Sequence, residues 1–138
     1  MERETMKRKK QRDQLELVLL YHLGEDTTKG KKLIQILTQM KIASKQISEE
    51  MLGETVGFLA NLGGFEKSLQ PYTGVIFEDE CMIMRGFSST RMDKLLMQMR
   101  NEALTIDLKA SVTPYNRDWT LARLIQELQH EHQKITAQ

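Results

Sequence analysis

The chain has 138 residues, of which 40% are hydrophobic and 28% are charged, a composition typical of a folded globular domain and unlike that of a disordered chain. Its apolar runs are all shorter than the roughly 20 residues that a membrane-spanning helix needs, and charge from the second residue onward excludes the apolar core of a signal peptide. The single cysteine, Cys81, excludes an intrachain disulfide, so we expect a cytoplasmic protein with no membrane partner.

The N-terminal residues 1–12 are strongly basic, with six Lys or Arg against two Glu, although the net charge of the whole chain is only +1. Such a segment is typical of a flexible, solvated end, and we expect it to precede one domain that spans residues 13–138. A basic tail can also contact nucleic acid, but this one contains no aromatic residue that could stack on bases.

The first half of the chain alternates between strand and helix patterns. Residues 15–23 are a short apolar run, which predicts a buried strand. Apolar residues at helical spacing then predict a helix capped by Thr27 or Thr28. Residues 41–48 predict a weak strand, and a second helix is expected to begin near Ser48 and to end at the glycine pair 63–64. Residues 65–80 have neither pattern and are interpreted as a linker.

The second half repeats this order. Residues 81–87 predict a strand, and Ser88 or Ser89 is expected to cap the helix that follows. Residues 105–113 alternate apolar and polar side chains up to Pro114, which indicates another strand. After a polar turn, apolar residues at helical spacing predict a last helix, with Asp118 or Thr120 as its N-cap. Those apolar residues are Leu121, Leu124, Ile125 and Leu128.

The two halves also match residue by residue. Leu37 corresponds to Met99 at an offset of 62, and Thr55 corresponds to Thr120 at an offset of 65. We therefore predict an α/β fold of two tandem βαβα repeats, 15–64 and 81–134. Each strand–helix–strand unit closes as a right-handed crossover with parallel strands. Two such units predict a four-stranded, largely parallel sheet with packed helices, whose strand order the sequence does not reveal.

The segment LKASVTPYNRDWTLARL, residues 108–124, resembles a bacterial family catalogued only as domain of unknown function 3783. The resemblance rests on a T-P-x-N turn followed by W-T-L at the start of a helix. A second segment, ETVGFLANLGGFEKS, also resembles that family through a T-V-G-x-L pattern. The resemblance spans roughly residues 15–134, and it implies a domain but no activity, because the family has none assigned.

A strand followed by a polar turn and a helix is a frequent place for a binding site in α/β proteins, because free N–H groups gather there. We expect four residues to form such a site: Lys109, Thr113, Asn116 and Trp119. Lys109 would supply positive charge, Asn116 a bidentate amide, and Trp119 a flat apolar surface. The alternative interpretation is structural, since Asn and Asp commonly make turn and cap hydrogen bonds.

Motifs for catalysis, cofactors or metals are weak in this sequence. GEDTTKGKK has the wrong glycine spacing for a phosphate loop, and His130 and His132 point to different sides of a helix, so we expect no cofactor and no metal. His22 stands alone at a strand end, and Cys81 follows acidic residues that raise the pKa of a thiol.

Three functions stay open at this stage. The first is a non-catalytic domain that binds a protein or a small ligand at the polar turn. The second is an enzyme of unknown reaction that uses His22 or Lys109 as a base. The third, less favoured, is a nucleic-acid-associated protein that acts through residues 1–12.

Overall fold

The strand β1 (Leu17–Tyr21) occupies an inner position in the sheet, and all five of its side chains are buried. The computed structural model describes residues 15–136, so the basic tail predicted for residues 1–12 lies outside the described part. Four strands form one sheet in the order β2-β1-β3-β4. The other three strands are β2 (Ala43–Ile47), β3 (Cys81–Arg85) and β4 (Leu108–Ser111).

Helices cover both faces of this sheet. They are α1 (Thr28–Gln39), α2 (Val56–Leu59), α3 (Ser89–Asn101) and α4 (Leu121–Thr136), with a short 3₁₀ helix at Glu49–Gly53. Successive side chains of a strand point to opposite faces, and the cores divide accordingly. Val18 and Leu20 of β1 pack with α1 and α3, while Leu19 and Tyr21 pack with the 3₁₀ helix, α2 and α4. Within residues 15–136, no helix combines the length and apolar character that a membrane crossing requires.

The sheet is mixed, which corrects the expectation of a largely parallel sheet. β1 and β2 are parallel, as are β3 and β4, but β1 and β3 are antiparallel, with Leu19 opposite Ile83. The crossover helices fix the strand direction only within each half. The connection into β3 stays at the carboxyl end of β1, where the Tyr21 hydroxyl donates to the carbonyl of Phe77 at 2.6 Å. β3 therefore starts beside the end of β1 and runs in the opposite direction.

The helix predicted from Ser48 to the glycine pair is interrupted. The backbone at Glu54 and Thr55 is extended, because it bonds to the other half of the chain. The N–H of Val56 donates to the carbonyl of Trp119, and the N–H of Leu121 donates to the carbonyl of Glu54, both at 2.9 Å. This tertiary pairing takes precedence over local helix propensity.

The segment 65–77, predicted as part of a linker, is held against the first half of the chain. The ring of Phe65 lies so close to Gly57 that a Cβ there would be 2.6 Å from a ring carbon. The backbone N–H of Ser68 donates to both carboxylate oxygens of Glu54, at 3.0 and 3.2 Å. Tyr72 packs over Gly53, and Phe77 is buried. We call residues 65–77 the strap.

Two alanine substitutions test the packing of the strap. Gly57→Ala should lower the free energy of unfolding by about 1–3 kcal/mol, because the new methyl group forces the Phe65 ring away and outweighs the helix propensity of alanine. Gly63→Ala is the matched control, since a Cβ there meets no atom within 4 Å, and it should be neutral or slightly stabilising. Urea unfolding measures both changes. Equal effects at the two positions would contradict the packing described for the strap.

The thiol of Cys81 provides a test of burial through pH. Burial, and to a smaller extent the charge of Asp79, raises the pKa of this thiol from 9.0 to about 12. Between pH 9 and pH 12 the thiol ionises only in the unfolded chain. The contribution of this thiol to the free energy of unfolding is therefore constant below pH 9 and falls as the pH rises above 9. The loss from Cys81 at pH 10.5 should be about 2 kcal/mol. Urea unfolding at pH 8 and 10.5 should therefore show a smaller pH dependence for Cys81→Ala than for the wild type. An identical dependence would show that the thiol is accessible.

Candidate functional site

The polar turn after β4 is fixed by the side chain of Asn116. This residue is only 8% exposed. Its Oδ1 accepts from the N–H of Thr113 at 2.9 Å, and its Nδ2 donates to the carbonyl of Ser111 at 2.9 Å. The hydroxyl of Thr113 accepts in turn from the N–H groups of Tyr115 and Asn116, each at 3.2 Å. Hydrogen bonds among its own residues therefore fix the conformation of the turn without a ligand.

One of the two residues predicted as the N-cap of α4, Asp118 or Thr120, makes the capping hydrogen bond. The hydroxyl of Thr120 accepts from the N–H of Arg123 at 3.2 Å, so Thr120 caps the helix and Asp118 is exposed. Thr120 also faces Thr55 in a single antiparallel bridge. This bridge joins the end of the turn to the first half of the chain.

The four residues predicted as a site lie around one depression of about 310 Å³, together with Tyr115 and residues of α4. Lys109 comes from β4, Thr113 and Asn116 from the turn, and Trp119 from the residue before the helix cap. The Nζ of Lys109 donates to the carbonyl of Ile106 at 2.5 Å. We call the depression and its rim the turn surface.

Two contributors to the turn surface were missed by the sequence argument. Tyr115 is 85% exposed, and its aromatic character inside a polar turn was the available signal. Arg123 places its guanidinium carbon 4.1 Å from the centroid of the Trp119 ring. Its position four residues after Trp119 was the signal for that contact, because a side chain just before a helix cap packs against the first turn of that helix. Trp119 itself is half-buried against the core.

His22, the other candidate base, lies at the carboxyl end of β1 and outside the turn surface. Its Nε2 is 3.0 Å from Oε1 of Glu49, and its Nδ1 is 3.3 Å from the carbonyl of Glu78. Its ring stacks on Tyr21, with 4.2 Å between centroids, and its φ is 56°. Both ring nitrogens therefore have a partner within the protein, so neither is free to act on a substrate in this conformation.

Metal-ligating side chains do not converge in the described part of the chain: over residues 15–136, no group of three His, Cys, Asp or Glu side chains could hold a metal ion. The Nε2 of His132 lies 3.9 Å from a carboxylate oxygen of Asp107, while His130 is exposed on α4. The raised pKa of Cys81 also argues against a reactive thiolate at neutral pH.

A larger cavity, of about 590 Å³, lies in the first half of the chain. Its lining begins at Lys45 of β2 and continues through the 3₁₀ helix and α2, and the strap contributes the remaining residues. The sequence argument did not predict this cavity. Because the strap was interpreted as a linker, its residues were not expected to enclose a space.

Comparisons with known proteins give one match. Neither the curated proteins nor the solved structures contain a match to this chain. A family model matches residues 80–135, which include β3, α3, β4, the turn and α4. The first half of the chain, with its T-V-G-x-L segment, lies outside the matched range. The matched part is therefore similar to the family described as Domain of unknown function (DUF3783), the same family that the sequence resembles.

Proposed function

We propose that the protein is a non-catalytic binding module whose turn surface contacts a segment of another protein. The observation that carries this proposal is the group of aromatic and cationic side chains at one rim. Trp119 stacks with Arg123, and Tyr115 stands beside them with 85% of its surface exposed. Trp, Tyr and Arg are the residue types that dominate the energetics of protein interfaces.

The hydrogen bonds within the turn favour binding over catalysis. The amide of Asn116 is engaged with Ser111 and Thr113, and the ammonium of Lys109 is engaged with the carbonyl of Ile106. A general base needs a free atom within reach of its substrate. In our proposal Asn116 and Thr113 hold the backbone in place, Lys109 lines the depression, and the aromatic rings make contact.

The shape of the turn surface favours a protein segment over a small molecule. Its volume of about 310 Å³ is at the lower limit of ligand cavities, and Tyr115 projects into solvent instead of closing over it. An amphipathic or extended segment could lay an apolar side chain on Trp119 and a carboxylate near Arg123.

We also propose that residues 15–64 and 81–134 are tandem repeats. The pairing of the two halves is symmetric, with Leu19 opposite Ile83 and Thr55 opposite Thr120. Left-handed backbone occurs at equivalent positions, after the first strand at His22 and Gly86 and after the first helix at Lys41 and Ala103. This symmetry supports a duplication in which the two halves later acquired different sites.

Tyr115 is a suitable position for a photo-crosslinker that reports the partner. Replacing it by p-benzoylphenylalanine keeps an aromatic ring on an exposed side chain. We expect irradiation in a lysate of the native host to give one dominant protein adduct, identified by mass spectrometry. The matched control carries the same group in place of Met97, which is 52% exposed and lies on α3 at the other face of the sheet.

Two substitutions decide whether that adduct depends on the turn surface. Trp119→Ala and Arg123→Gln should each lower the adduct yield about tenfold or more, because each removes one member of the stacked pair. Urea unfolding shows whether each variant folds. If Trp119→Ala does not fold, the adduct yield of Arg123→Gln tests the proposal instead, because Arg123 is exposed and its substitution leaves the core intact. An adduct of equal yield at Met97, or one that neither substitution reduces, would contradict the proposal.

A further inference from the structure

The cavity in the first half is a half-open depression with a mixed lining. Its walls combine six apolar side chains with seven polar or charged residues, and ligand sites likewise join apolar surface to polar groups. The apolar lining comes from the 3₁₀ helix, from α2 and from the strap: Met51, Phe58, Leu59, Leu69, Pro71 and Tyr72. Its volume of about 590 Å³ lies within the range of small-molecule sites.

The strap keeps this cavity open by its attachments. Glu54 is only 8% exposed, and both of its carboxylate oxygens accept from the N–H of Ser68. Tyr72 rests against Gly53, where an added Cβ would lie 3.3 Å from the side chain. The residues between these attachments, Leu69 to Pro71, line the cavity, and Leu69 is fully exposed. The strap therefore forms one wall of the cavity.

Two lysines and two glutamates line the cavity, and Lys45 is the cation that lies part-buried beside its apolar wall. The ammonium of Lys45 is part-buried, and it donates to the carbonyl of Leu59 at 3.1 Å and to Oδ1 of Asn61 at 3.3 Å. Both acceptors are neutral, and the ammonium lies 5.9 Å from the centroid of the Phe58 ring. A half-desolvated cation is stabilised when an anion approaches it. The carboxylate of Glu54 also lines the cavity, and both of its oxygens accept from the N–H of Ser68.

We propose that this cavity binds a small organic anion that has an acidic head and an apolar aromatic or branched body. The head would lie at Lys45, with Lys67 at the rim as a second cation, and the body would pack against Phe58, Met51 and Tyr72. Glu50, which also lines the cavity, would repel a second acidic group. A ligand with a single acidic end therefore matches the cavity better than one with two.

This site is separate from the turn surface. β1 and β2 run opposite to β3 and β4, so the carboxyl ends of β2 and β4 lie at opposite edges of the sheet. The two depressions share no lining residue. Failure of one proposal therefore leaves the other in place, and each can be tested in a protein in which the other site is unchanged.

Two fluorescent probes with nearly the same body test the proposal. Anilinonaphthalene sulfonate carries an acidic head, and N-phenylnaphthylamine has the same ring system without it. We expect the wild-type protein to bind the sulfonate at one site, about tenfold or more tighter than the neutral probe, because a charge-assisted hydrogen bond to Lys45 adds to the same apolar contact. Fluorescence titration measures both dissociation constants.

Substitution of Lys45 isolates the role of its charge. Lys45→Gln should weaken binding of the sulfonate about tenfold and leave the neutral probe within about twofold, and Lys45→Arg should restore binding of the sulfonate. Lys32→Gln is the control, because Lys32 is an exposed lysine of α1 and its loss should change neither affinity. If Lys45→Gln weakens both probes equally, or neither, the assignment of an anion to this cavity is wrong.

A pair of exposed positions on the strap gives a second test that leaves the core intact. Leu69 lines the cavity and is 101% exposed, whereas Val75 is 69% exposed and lies outside the lining. Leu69→Asp should weaken binding of the sulfonate severalfold by charge repulsion, and Val75→Asp should have a smaller effect. Equal effects of the two substitutions, or none, would place the bound probe elsewhere and overturn the proposal.

Discussion

The antiparallel pairing of β1 with β3 determines how the rest of the structure is arranged. Each half of the chain closes its own parallel pair around a crossover helix, and neither pair can cover both faces of a sheet alone. The contact between Leu19 and Ile83 joins them into four strands. Because the two halves meet with opposite directions, the carboxyl ends of their outer strands lie at opposite edges. The two candidate sites share no lining residue.

The two halves of the chain also contact each other outside the sheet, at the antiparallel bridge between Thr55 and Thr120. The two hydrogen bonds that flank it join residues 54–56 to residues 119–121. Each threonine also caps the helix that follows it, since Thr55 accepts from Phe58 and Thr120 accepts from Arg123. One short bridge therefore fixes where α2 and α4 begin. It also fixes the orientation of the residues before each helix, which is where both depressions form.

The sequence was a good guide to elements whose causes are local. Apolar periodicity gave the four strands, and hydroxyl caps at Thr27 and Ser88 gave the starts of α1 and α3. It also indicated four residues that the fold does bring around one depression. What it could not provide depends on backbone atoms that are distant in the chain. The N–H of Ser68 and the carbonyl of Phe77 hold the strap. Every residue except proline carries both of these backbone groups, so the sequence does not show which of them bond to distant residues.

The difference between the two depressions follows from what comes after each bridge. In the second half α4 continues for 16 residues, so the chain moves away from the turn and leaves Tyr115 exposed and Trp119 half-buried. In the first half α2 ends after four residues, and the chain returns as the strap. The residue before each bridging threonine also differs between the two halves. Trp119 presents a ring to solvent under Arg123, whereas Glu54 uses its carboxylate to hold the strap. The same strand–helix arrangement thus produces two depressions with different linings, and we propose a protein segment for one and a small molecule for the other.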